Sequence, residues 1–165
     1  MHPLITAALR AGIAMVIAFG LFGQAVIIPT AAADEVDRFP GYAPLATPYT
    51  VLAVLGVACV QVALVAVWRL LGMAQQGAIF APRAFRWVDV VIGSSAVATA
   101  LAIGAAAHLA VAEIPSPDDG MDITGALAAA ITAAGIGAAF AMLTVIMRSL
   151  LRKATALQTE MAEVI

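Results

Sequence analysis

The chain has 165 residues, 64% of them apolar and 11% charged, with a mean hydropathy of +1.05. Soluble domains hold roughly 45–50% apolar and about 25% charged residues, so a water-soluble globule of this size is excluded. The single cysteine, Cys59, excludes a disulfide scaffold, and a net charge of -2 argues against a nucleic-acid partner. What remains is an integral membrane protein, with the lipid bilayer as its first partner.

A bilayer core about 30 Å thick needs roughly 20 mostly apolar residues per helix. Four stretches qualify: 11–28 (extendable to Ala33), 49–68, 88–112 and 123–147. Between them fall the breakers expected of loops, namely Pro29, Pro40, Pro44 and Pro48, then Gly72, Gly77 and Pro82, then Pro115, Pro117 and Gly120. Backbone groups in lipid must bond internally, which selects helices. The expected fold is an all-α four-transmembrane-helix bundle over residues 1–147, with a cytoplasmic tail over 148–165.

Orientation follows the basic residues. Arg10, Arg69, Arg83, Arg86, Arg148, Arg152 and Lys153 fall on one side and only Arg38 on the other. The first side is therefore expected to be the cytoplasm, with both termini inside. Trp68 and Trp87 sit at the inner interface and Tyr42 and Tyr49 near the outer one. The first span has a rival reading as a cleaved signal, because Ala31-Ala32-Ala33 precedes Asp34.

Polar residues inside the spans are costly and turn toward protein or a watery cavity. The candidates are Gln24, Gln61, Ser94, Ser95, Thr99, His108, Thr132 and Thr144. Counting ~1.5 Å per residue from the cytoplasmic ends puts Gln61 with Ser95 at about 10 Å and Gln24 with Thr132 at about 20 Å. These pairs are expected to share layers, as packing glue or, on the sharper reading, as part of a proton or solute path. Asp89 lies three residues after Arg86, so the two can meet on one helix face and lock the hairpin between spans two and three; Arg69 and Arg148 end neighbouring spans on that side. His108 is expected near the outer interface. The run Ser116–Asp122 lacks the ligand alternation and terminal glutamate of a calcium loop.

Small residues repeat every four positions as Gly125, Ala129, Ala133, Gly137 and Ala141 in span four, and as Ala96, Ala100 and Gly104 in span three. Such stripes let helix backbones approach. Phe80, Phe85 and Trp87 with Arg83 and Arg86 make an aromatic and basic band in the inner loop. In the tail, Leu150, Ala154, Leu157, Met161 and Val164 alternate steps of four and three, an amphipathic helix of about two heptads. It suits pairing with a second copy, a cytoplasmic protein partner, or the membrane surface.

Residues 58–71, Gly77, Ile79-Phe80, 84–89 and 147–152 together resemble a family of small bacterial membrane proteins catalogued as a domain of unknown function. Genes of that family often stand beside a small Cro-type helix-turn-helix regulator. The resemblance implies a four-helix protein of the bacterial inner membrane and brings no catalytic or binding residues with it. No nucleophile–base pair, metal-ligand set or cofactor motif is present in the sequence. The expectation is a non-enzymatic membrane interaction or regulatory module without cofactor, with a small permease or channel-like oligomer as the alternative.

Overall fold

The computed structural model describes residues 3–76, 82–115 and 121–163. In chain order these form α1 (Pro3–Phe22), a π turn (Gly23–Ile27), α2 (Ile28–Arg38), a 3-10 turn (Pro40–Tyr42), α3 (Ala43–Gln75), α4 (Pro82–Val111) and α5 (Met121–Glu163). Four helical stretches are long and apolar enough to cross a membrane: Leu4–Arg38, Pro40–Gln75, Arg83–Val111 and Ile123–Leu157. The protein is an all-α four-helix bundle of the multi-pass membrane type. Its exterior confirms the solvent argument, since side chains such as Val111 and Met142 stand 84% and 69% exposed.

The helices overrun the expected spans because several prolines do not act as breakers. Pro44 falls in the first turn of α3, where a missing N–H costs nothing, and Pro48 is accommodated inside α3. Pro29 is accommodated differently. Its ring crowds the carbonyl of Ala25, and the helix answers by widening one turn, with the Ile28 N–H donating to the Gly23 carbonyl. The π turn thus joins α1 to α2 without a break. Ala31–Ala33 lie inside α2, and the connection to α3 shrinks to Phe39 and the 3-10 turn.

Contacts follow chain order. Both α1 and α2 lie on α3, α3 lies on α4, and α5 packs on α4 and on no other helix among the described residues. The face of α1 and α2 reads Thr6, Ile13, Ile17, Gly20, Gln24, Ile28, Ala32 and Val36, all buried or half-buried. On α5 the half-buried residues are Ile123, Leu127, Ala130, Ala134, Gly137, Ala141, Thr144, Arg148, Leu151 and Thr155. Their steps alternate four and three, the period of a left-handed packing seam.

Only part of the small-residue stripes meets a neighbouring helix of the same chain. Gly125, Ala129 and Ala133 are exposed, as are Ala96, Ala100 and Gly104 on α4, and only Gly137 and Ala141 reach the contact. The reason is geometric. A step of four residues overshoots a 3.6-residue turn by about 40°, so five members drift about 160° around the helix. On α4 the contact with its neighbours is carried by Ser95, Ala98, Thr99, Ala102 and Ala105.

Candidate functional site at the arginine-rich end

Asp89 lies in the second turn of α4, and its partner is Arg148 of α5. One guanidinium nitrogen, Nη2, stands 2.6 Å from Oδ1 and 2.8 Å from Oδ2. This corrects the expected pairing with Arg86. Arg148 occupies the half-buried seam of α5 and reaches Asp89 across the helix contact, whereas Arg86 is exposed on its own helix. The ion pair therefore clasps α4 to α5, not α3 to α4.

The α3–α4 hairpin is held at this level by a different contact, the Arg69 guanidinium 5.7 Å from the Trp87 ring centre. Arg152 sits 5.9 Å from the Phe85 ring. Such cation–π contacts contribute about 0.5–1 kcal/mol at exposed sites. On the other flank, Arg10 of α1 leans over Gly72 of α3, where an added Cβ would come 3.1 Å from its Nη2. The α1–α3, α3–α4 and α4–α5 contacts thus each carry an arginine at this end, and among the described residues Asp89 is the carboxylate that the rim engages. Residues 77–81 of the aromatic band, Phe80 among them, lie outside the described residues, as do 116–120 of the acidic run and Val164 of the tail. Met161 is helical, but its side chain is outside what is described.

Deeper in the spans, no hydrogen bond links the expected layer partners among the described residues. Gln24 donates from Nε2 to the Val54 carbonyl of α3 at 3.0 Å. Gln61 packs over Gly20 of α1, and its Nε2 is buried with no partner. Both glutamines turn inward, but they meet each other's helix and neither Ser95 nor Thr132. Ser95 bonds the Val91 carbonyl and Thr99 the Ser95 carbonyl, each at 2.8 Å. Ser94, Thr132 and Thr144 likewise bond carbonyls of their own helices. Thr132 is exposed. Hydroxyls satisfied three or four residues back leave no shared polar file.

At the acidic end, His108 in the last turn of α4 joins Tyr49 of α3, Nδ1 to Oη at 2.8 Å, with the rings edge-on and 5.8 Å apart. Beside Tyr49 lies an open, largely apolar groove of about 340 Å³, lined by Ile28 and Ala32 of α2, Leu45 and Ala46 of α3, Leu109 of α4 and Ile123 of α5. Glu35 lines it too, and its Oε1 is 3.2 Å from Arg38.

Sequence reasoning singled out His108 but not its Tyr49 partner, although both fell near the same interface. It also missed Thr6, which is 1% exposed with an unpartnered hydroxyl. A hydroxyl in the first turn of an apolar helix carries no signal that distinguishes it from a lipid-facing threonine.

Compared with known families, residues 30–165 match the family described as a protein of unknown function, DUF2975. The match begins one residue after Pro29 and takes in α3, α4 and α5 whole. No curated protein and no solved structure matches the chain.

Proposed function

The chain belongs to DUF2975, and from that premise we propose that it is a non-enzymatic interaction module of the bacterial inner membrane that presents α5 to a cytoplasmic protein. Its termini lie in the cytoplasm on this reading, because seven of its eight basic residues cluster at the end where α5 emerges.

The observation that carries the reading is the length of α5. Its 43 residues rise about 65 Å, roughly twice a bilayer core. The helix continues without a break past the Asp89–Arg148 clasp to Glu163. The clasp and the Arg152–Phe85 stack hold its exit, so the projecting part is an extension of a fixed element. The intramembrane hydroxyls bonded to their own carbonyls favour this reading over a solute path.

A photo-cross-linking residue in place of Ala156, on the polar side of the tail, tests the proposal in living cells. A discrete adduct with a cytoplasmic protein, lost on truncation after Arg152 while the chain still inserts, is the expected result. Adducts with lipid alone, or none, overturn it.

A further inference from the structure

The face of α5 that packs on α4 is not its only periodic face. About a third of a turn away, Ile136, Phe140, Leu143, Met147, Leu150 and Leu157 repeat in steps of four and three, with Ala154 completing the series. They stand 67%, 48%, 63%, 55%, 55% and 60% exposed. Inside hydrocarbon such exposure needs no explanation, since lipid accepts apolar side chains on every side. The stripe does not stop there. It passes Arg148 and keeps its register through Leu150, Ala154 and Leu157, and the sequence spacing extends it to Met161 and Val164. Around the rest of the same stretch stand Ser149, Arg152, Lys153 and Ala156, so the apolar line is distinct from its surroundings there.

Three properties specify what covers it. The period is 3.5 residues, which fits a helix partner in knobs-into-holes contact, and beyond the rim, where Ser149, Arg152 and Lys153 flank the line, lipid does not account for it. The stripe is continuous across the level of the arginine rim, so one straight helix can follow α5 both within the membrane and beyond it. The helix is unbroken and free of proline from Met121 to Glu163, which carries the tail away from the bilayer and not along its surface. A second copy meets all three conditions, because every copy threads the membrane in the same direction and brings an identical stripe at an identical height.

We propose that α5 pairs in parallel with α5 of a second copy of this chain. The two-fold axis runs along the membrane normal, and the seam extends from Ile136 through Leu157. In heptad terms Ile136, Leu143, Leu150 and Leu157 fall at d, while Phe140, Met147 and Ala154 fall at a. Six large side chains with on the order of 100 Å² each still to bury, counted on both copies, give at most about 1,200 Å², where specific interfaces begin. The α4 contact is left intact, because Gly137, Thr144, Arg148 and Leu151 lie beside the stripe and not in it. This inference shares with the function above the reading that α5 leaves the bilayer on the arginine-rich side. It adds that the projecting element is double.

Disulfide cross-linking in native membranes tests it with the full chain. In a Cys59→Ser background, Leu150→Cys and Leu157→Cys should convert to covalent dimers under mild oxidant, whereas Ser149→Cys and Ala156→Cys, turned about 100° away from them, should stay monomeric. A Leu150→Asp, Leu157→Asp chain should lose co-capture with a differently tagged copy while remaining in the membrane fraction. Equal cross-linking on both faces, cross-linking confined to positions 149 and 156, or none at 150 and 157 overturns the dimer. Dimers at 150 and 157 without a photo-adduct at 156 would remove the cytoplasmic partner and keep the seam. A photo-adduct without these dimers would do the reverse.

Discussion

Replacing Gly137 by alanine isolates the closest approach between α4 and α5. A Cβ at this position collides with Thr99 Oγ1, with Thr99 Cβ and Cα 3.5 and 3.7 Å away behind it. Thr99 cannot swing aside freely, since its hydroxyl donates to the Ser95 carbonyl at 2.8 Å. Overpacking of this kind costs about 1–3 kcal/mol. Alanine returns up to about 1 kcal/mol through helix propensity. The net expectation is a loss of about 1 kcal/mol, roughly a fivefold drop in the folding constant. By soluble-protein scaling, that lowers the melting temperature of a chain this size by about 2–4 °C. Thermal unfolding in mild detergent, followed by loss of monodispersity, reads the shift. Two further variants fix its origin. Thr99→Ala should remove most of the penalty when combined with Gly137→Ala. Gly135→Ala, on the same helix with nothing within 4 Å of its added Cβ, should cost nothing. A Gly137→Ala protein as stable as the parent refutes the close approach, and a penalty that Thr99→Ala fails to relieve refutes its cause.

Breaking the clasp by Asp89→Asn should cost about 1 kcal/mol or less, because the pair is 47% and 27% exposed and screened. The charge exchange Asp89→Arg with Arg148→Asp should recover it, and added salt should shrink the difference in melting temperature. Gln61→Met should leave stability unchanged or raised, since it removes a buried Nε2 that has no partner while keeping the side-chain volume; a clear fall in melting temperature would count against this burial. Gln24→Leu removes the bond to the Val54 carbonyl and should cost about 0.6 kcal/mol, the average for an interhelical hydrogen bond in a membrane. An unchanged melting curve would argue that the bond is not made.

The four spans and the arginine-rich end were legible in the sequence because hydrocarbon demands a long apolar run and sorts arginine to one side. Which face of each helix packs was not. In water, polarity marks the outer face of a helix, but in lipid Ala133 and Ala134 look alike, and only the second meets α4. Asp89 was recognisable as an ion-pair residue, yet Arg69, Arg86 and Arg148 all lay near its level. The choice of Arg148 came from its place on the α5 seam, visible only once the period of that seam is known. Pro29 read as a loop because nothing local announces a widened turn. The tail stripe at Leu150, Ala154 and Leu157 was readable for the opposite reason, since polar residues surround it there.

The order of the helix contacts has a bearing on how such a protein is made. Each span rests on the one synthesised just before it, and the described part of α5 makes no close backbone approach to α1 or α2, facing α2 only across the groove that Ile123 lines. Assembly can therefore run sequentially during translation, every new helix finding its support already in place. No early segment has to wait, half-covered, for the last one to close a ring. Damage should stay local for the same reason: a fault in the α1–α3 seam leaves the pairing of α4 with α5 intact.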